Sequence, residues 1–204
     1  MIDTILSDLG NVLLSFDNAV FFDKMARMTS RSPAEIRKIV HDNLDLNILF
    51  EKNAVSPEDF YKNAVDLLAV DVRYEDFYAM YCDIFTPNPE VLALYRRLKR
   101  RYRMILLSNT DVCRWTFIKS RFPEILIFDG YALSFDLGCM KPQVEVYRES
   151  LRLAGSRPER AFFIDDLPEN VASAAHLGIQ GLVYRPGLDL ETELRKFGIQ
   201  AGAV

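Results

Sequence analysis

Short apolar runs that stop abruptly at polar residues punctuate the chain. Thr4 to Leu6 runs into Ser7-Asp8, Met104 to Leu107 into Ser108-Asn109, and Phe162 to Ile164 into Asp165-Asp166. Runs that are apolar throughout, without alternation, mark parallel strands buried on both faces. Weaker runs of the same kind lie at Leu126 to Phe128, Tyr131 to Leu133 and Leu182 to Tyr184. Helical patterns fill the intervals: Asn88-Pro89-Glu90 supplies a start signal, Gly155 follows Val144 to Ala154, and Gly178 follows Glu169 to Leu177. Alternating strand and helix predicts an α/β fold with a doubly wound, mostly parallel sheet, in which ligands bind beyond the carboxyl ends of the strands.

Residues 16–88 break the alternation. They show no strand pattern but carry Ser32-Pro33-Ala34-Glu35 and Ser56-Pro57-Glu58-Asp59. Each combines an N-cap serine, a first-turn proline and an acid at N3. The division predicted is a core domain over 1–15 and 89–204, with a small helical cap over 16–88 inserted after the first strand. The insertion returns to the sheet near that strand's carboxyl end, where it can cover a site.

The 204 residues are half apolar and 26% charged, as in an ordinary folded domain. No apolar run reaches the roughly 18 residues of a membrane span, and the acidic start MIDTILSDLG is unlike a signal peptide, so the expected location is the cytoplasm with no membrane partner. A net charge of −4 opposes binding to nucleic acid. The basic run from Arg96 to Arg103 reads as the solvated, cation-rich end of a helix. Cys82, Cys113 and Cys139 form no C-x-x-C pair, and with His41 and His176 the only histidines no ordinary zinc site is expected.

The chemistry lies at the strand ends. A parallel sheet gathers Asp8, Ser108-Asn109 and Asp165-Asp166 along one edge. Crowded carboxylates raise one another's pKa unless a cation lies among them. Mg²⁺ takes oxygen ligands, usually one or two carboxylates with waters and a phosphate, which suits Asp8 with one of Asp165 and Asp166. Lys141, held off helical geometry by the following Pro142, offers a fixed positive charge. A carboxylate, a divalent cation, a lysine and the Ser108 hydroxyl together suggest phosphoryl transfer through an aspartyl phosphate.

These residues resemble the haloacid dehalogenase superfamily of aspartate-nucleophile phosphohydrolases. Asp8-Leu9-Gly10-Asn11-Val12 is similar to its first motif, Leu107-Ser108-Asn109-Thr110 to its second, Lys141-Pro142 to its third and Asp165-Asp166-Leu167-Pro168-Glu169-Asn170 to its fourth. The resemblance implies Asp8 as nucleophile and metal ligand, the Gly10 carbonyl and Asp166 as further ligands of Mg²⁺, and Asp165 acting mainly behind them. It implies that Ser108, the Asn109 N–H and Lys141 hold the phosphoryl group of a small phosphate ester. A subgroup with the Asp-Leu-Gly-Asn-Val first motif includes a sugar 1-phosphate phosphatase, which favours a sugar phosphate here.

One departure stands out. Most phosphatases of the family carry an aspartate acid/base two residues after the nucleophile, and here that position is Gly10. General acid–base catalysis is typically worth about 10²–10⁴-fold, so a fairly acidic leaving group is expected, such as an anomeric hydroxyl, a phenol or an acyl group. Two other functions stand beside the phosphatase: a metal-free haloacid dehalogenase, which has little use for two adjacent acids, and a non-catalytic phosphate-binding or interaction protein. Phe16, Trp115, Tyr74, Phe77, Tyr78 and Tyr81 read as core by default, with Phe16 also placed to face a substrate. His176 reads as helix packing and His41 as an insertion-surface residue.

Overall fold

The computed structural model describes residues 1–202. The strands are β1 (Thr4–Ser7), β2 (Leu14–Phe16), β3 (Phe85–Pro87), β4 (Arg103–Ser108), β5 (Gly130–Leu133), β6 (Ala161–Asp165) and β7 (Gln180–Val183). Five of them form a sheet ordered β5-β4-β1-β6-β7, with every neighbouring pair parallel. β1 and β6 are buried at every residue, which is why their sequences do not alternate.

Successive residues feed opposite layers. Ile5 and Phe162 pack on one face with Leu92, Tyr95 and Leu98 of α6 (Pro89–Leu98) and Ile118 of α7 (Val112–Arg121). Leu6 and Phe163 pack on the other with Val146, Tyr147 and Leu151 of α9 (Val144–Ala154) and Ala174 of α10 (Pro168–His176). At Gly181 in β7 a Cβ would lie 2.9 Å from the Phe163 carbonyl oxygen and 2.9 Å from a Val171 methyl, so only glycine allows α10 so close to the sheet.

Between β2 and β3 the chain forms five helices: α1 (Asn18–Ala26), α2 (Pro33–Asp42), α3 (Leu44–Glu51), α4 (Pro57–Leu68) and α5 (Tyr74–Cys82). Both serine-proline starts behave as their sequences predict. Ser32 and Glu35 close a capping box at α2, and Ser56 Oγ accepts from Asp59 N at 3.1 Å at α4. Phe21, Met25, Phe50, Phe60, Phe77 and Tyr81 belong to a second hydrophobic cluster, separate from those on the sheet.

The structure corrects several expectations. Residues 16–88 do contain strand: β2 and β3 pair antiparallel where the helical segment leaves and rejoins the sheet. Each has three residues, one of them Pro87, too few for a period-2 signal. The run Leu126 to Phe128 is irregular, because Pro123–Ile125 forms a single 3₁₀ turn and Leu126 is left exposed; strand pairing resumes only at Gly130. The basic end of α6 is not simply solvated. Arg97 forms a forked ion pair with Glu191 of α11 (Leu190–Lys196), and Lys99 pairs with Asp129. His176 is exposed on the last turn of α10, not packed inside the helix layer.

Candidate active site

Asp8 continues β1 by one residue, its N–H donating to the Ile164 carbonyl of β6 at 2.8 Å. Ser7 anchors this end of the strand between Tyr95 Oη at 2.8 Å and the Asp8 carbonyl at 2.7 Å. The strand order then brings the acids of β1 and β6 together, and ligand oxygens of Asp8, Asp165 and Asp166 all lie within 4.8 Å of one another. Lys141, 4% exposed, projects its ammonium between two of them, with Nζ 2.7 Å from Asp8 Oδ1 and 2.7 Å from Asp165 Oδ2.

Each member is held from behind. The backbone of Lys141 is fixed by Asn109, whose Oδ1 accepts from Lys141 N at 2.8 Å while its Nδ2 donates to the Lys141 carbonyl at 3.0 Å. Asp8 Oδ1 also accepts from Leu9 N at 2.7 Å. Asp165 is fully buried and engaged on both oxygens, with Oδ1 accepting from Leu167 N and from Asn170 Nδ2, each at 2.9 Å. Asp166 is half-buried and takes one bond from Asn11 Nδ2 at 2.9 Å, leaving it the more available of the adjacent acids. Asn11 adopts φ +53°, a left-handed conformation that asparagine tolerates. Sequence reasoning gave Asn11 and Asn170 no role; the only signal was a polar residue inside each of the first and fourth motifs.

Ser108 closes β4, buried, and with Asn109 lines the same cavity as Leu9 and Gly10. Gly10 lies on the turn after Asp8, where a Cβ would meet Phe16 Cε1 at 3.0 Å. Phe16 is 40% exposed, so the aromatic just beyond the first motif is not a core residue, whereas Trp115, Phe77, Tyr78 and Tyr81 are buried.

The electrostatics of the cluster are unbalanced. Burial, reinforced by the Asp165 charge, outweighs the Lys141 ammonium and pushes Asp8 up to about 7. Burial opposes the charged form of Lys141 as well, but the Asp8 and Asp165 carboxylates outweigh it and hold the ammonium above its ordinary value. Three carboxylates and one ammonium leave a formal charge of −2. A hard divalent cation with oxygen ligands neutralises that charge, so the donor set fits Mg²⁺.

Beside this cluster a cavity of about 400 Å³, bounded on the sheet side by Leu9, Gly10, Ser108 and Asn109, extends among α1, α2, α3 and α4. On its wall the Arg114 guanidinium lies 4.1 Å above the Tyr81 ring, with Glu51 3.9 Å away and Asp111 3.7 Å away. Tyr81 Oη donates to Asp111 Oδ2 at 3.0 Å, and Asp111 Oδ1 caps α7 through the N–H groups of Cys113 and Arg114.

Comparisons with known proteins agree with this geometry. A D-ribitol-5-phosphate phosphatase from Bacteroides thetaiotaomicron is 23% identical over 95% of this chain and 97% of its own. A sesquiterpene phosphatase from Aspergillus oryzae is 25% identical over 72% of this chain and 76% of its own. The crystal structure of a HAD family enzyme from B. thetaiotaomicron, in complex with magnesium and inorganic phosphate, superimposes with a TM-score of 0.86 at 25% identity, covering 96% of this chain and all of the other. The family model for haloacid dehalogenase-like hydrolases matches residues 2–178, and the chain belongs to that family.

Proposed function

We propose that the protein is a Mg²⁺-dependent phosphatase that hydrolyses small organic monophosphates through an aspartyl phosphate on Asp8. The observation that carries this reading is the convergence of Asp8, Asp165 and Asp166 with Lys141 at one sheet edge. Asp8, Asp166 and the Gly10 carbonyl would hold the cation, with Asp165 orienting Lys141. Bound there, Mg²⁺ supplies positive charge to a phosphoryl group that must approach a carboxylate. The helices between β2 and β3 serve as a cap that encloses the leaving group.

In the first step an Asp8 carboxylate oxygen attacks phosphorus in line with the ester oxygen. The bond from phosphorus to the alcohol oxygen breaks, and the leaving alkoxide takes its proton from water, because Gly10 carries none. In the second step a water oxygen attacks phosphorus, its proton passing to the hydroxide left by the first step, the aspartyl–phosphate bond breaks, and inorganic phosphate leaves while the Asp8 carboxylate is regenerated. The Ser108 hydroxyl, the Asn109 N–H and the Lys141 ammonium hold the phosphoryl oxygens through both steps.

Two kinds of support bear on the alcohol part. The ribitol-phosphate phosphatase relative supports a phosphorylated sugar or polyol, and the sesquiterpene phosphatase supports a hydrocarbon. A metal-free dehalogenase has no use for Asp166 beside Asp165. The test is phosphate release from a panel of monophosphates with Mg²⁺, with EDTA, and with Asp8→Asn. Turnover that EDTA and Asp8→Asn both abolish supports the reading, and turnover that survives either control contradicts it.

A further inference from the structure

The cavity beside Asp8 is chemically one-sided. Its walls are mainly aliphatic and aromatic, with Phe21, Phe60, Ala64, Leu68 and Phe77 in its depth. Phe16, Leu44 and Leu67 stand at its mouth with 40%, 46% and 38% of their surface exposed. Several of the polar groups on its wall are engaged already. Asn43 Nδ2 donates to the Ile39 carbonyl at 2.8 Å, the Asn109 amide is occupied by Lys141, and Arg114 lies flat on Tyr81, its Nε being the one buried side-chain nitrogen or oxygen without a hydrogen-bond partner among the described residues. A sugar entering this space would bury most of its hydroxyls against hydrocarbon, whereas an apolar group would bury apolar surface there. At about 30 Å³ per water-sized group, 400 Å³ accommodates roughly a dozen heavy atoms.

A second, independent observation concerns the leaving oxygen. The Phe16 ring covers Gly10, so position 10 presents hydrocarbon where a proton donor would otherwise stand. An alcohol expelled without proton donation must be fairly acidic, and a phenol, with a pKa near that of tyrosine at about 10, meets that need. Aromatic hydroxy compounds are both apolar and acidic, and the rings of Phe16, Phe21 and Phe60 offer them stacking partners.

We infer that the substrate is an aryl phosphate, with its ring system in this cavity and its phosphoryl group against Asp8, Ser108 and Lys141. The inference rests on the phosphatase reading. The test compares kcat/KM of the full chain with Mg²⁺ on 1-naphthyl phosphate, decyl phosphate, glucose 1-phosphate and acetyl phosphate. Naphthyl phosphate is expected to exceed both decyl phosphate and glucose 1-phosphate by about 100-fold or more. To separate binding from intrinsic ester reactivity, Ala64→Phe narrows the cavity. It is expected to raise KM for naphthyl phosphate about tenfold while leaving acetyl phosphate, which does not reach that depth, unchanged. Leu67→Trp at the exposed mouth makes the same comparison without a core substitution.

Glucose 1-phosphate or decyl phosphate matching naphthyl phosphate overturns the inference. So does an unchanged naphthyl KM in both variants. In either case Asp8-dependent turnover of acetyl phosphate leaves the phosphatase reading standing. Failure to hydrolyse any of the four esters removes both.

Discussion

The ring of Phe16 occupies the space that a side chain at position 10 would enter: a Cβ on Gly10 would lie 3.0 Å from Phe16 Cε1 and 3.5 Å from Cδ1. Two residues after the proposed nucleophile, the protein thus presents an aromatic edge in place of an acid. Phe16 also packs edge-on against Phe85, with centroids 6.2 Å apart, tying this substitution to the β2–β3 pair at the base of the helical segment.

This relationship predicts how rate depends on the leaving group. In the unmodified protein kcat/KM should fall steeply as the leaving alcohol becomes less acidic. Gly10→Asp combined with Phe16→Ala, which clears the ring, should raise rates on alkyl phosphates by about 10²-fold and flatten the dependence. Gly10→Asp alone should gain less, because its side chain must first displace the ring. A series of substituted phenyl and alkyl phosphates measures the slope, and equal slopes in all three proteins would refute the assignment.

Lys141 bridges two buried carboxylates at once, so its removal should cost both stability and activity. Leaving buried charges unpaired typically costs about 3–5 kcal/mol, which for a chain of this size corresponds to a fall in Tm of roughly 10 °C. Lys141→Ala should show that fall by calorimetry together with loss of measurable phosphate release. A variant with unchanged Tm would mean that the ammonium is not the counter-charge described.

Asn170 acts through Asp165. Its Nδ2 bond to the fully buried carboxylate is of the charge-assisted kind, worth about 1.5–3 kcal/mol. Asn170→Ala should lower stability by about 2 kcal/mol in urea unfolding and, if Asp165 orients Lys141 as proposed without itself holding substrate, reduce kcat more than it raises KM. Asn170→Asp should restore neither, because it offers the carboxylate no amide donor.

Glu51 gives a pH dependence with a definite sign. Burial, with a smaller contribution from the Asp111 charge, outweighs the Arg114 charge and holds its pKa above the ordinary carboxylate value. An acid whose pKa is raised by folding favours the native state when protonated, and that contribution disappears as pH rises through the folded pKa. Glu51→Gln should therefore gain in Tm relative to the parent protein between pH 4.5 and pH 8, by a few degrees. A difference in Tm that stays constant over this range would contradict the sign.

Much of this site is legible in the sequence for a simple physical reason. A strand buried on both faces must be apolar throughout, so the residues where its apolar run stops stand out, and in a parallel sheet those residues share an edge. Asp8, Ser108, Asp165 and Asp166 are all found that way, and Lys141 by its loop setting before Pro142 together with the resemblance of Lys141-Pro142 to the family's third motif. The supporting amides of Asn11 and Asn170 are not, because a polar residue in a turn or a first helical turn has many ordinary uses.

Other features escape local reading altogether. β2 and β3 are too short to show a period, and their pairing spans the whole helical segment. The cavity is invisible for a different reason: an amphipathic helix announces an apolar face, but not whether that face packs against another or borders open space. Phe16 reads as core by default, and only its place just past the first motif hints at the outward position it takes. The basic end of α6 looks solvated because Glu191 and Asp129, the partners of Arg97 and Lys99, lie far away along the chain.

The central claim is that Asp8 becomes covalently phosphorylated during turnover, and acid quenching followed by mass analysis of the peptide that contains Asp8 tests it most directly. With Mg²⁺ and acetyl phosphate, that peptide should gain the mass of one phosphoryl group, and the adduct should be absent from Asp8→Asn. Phosphate release that continues in Asp8→Asn, or an adduct on any other residue, would contradict the account.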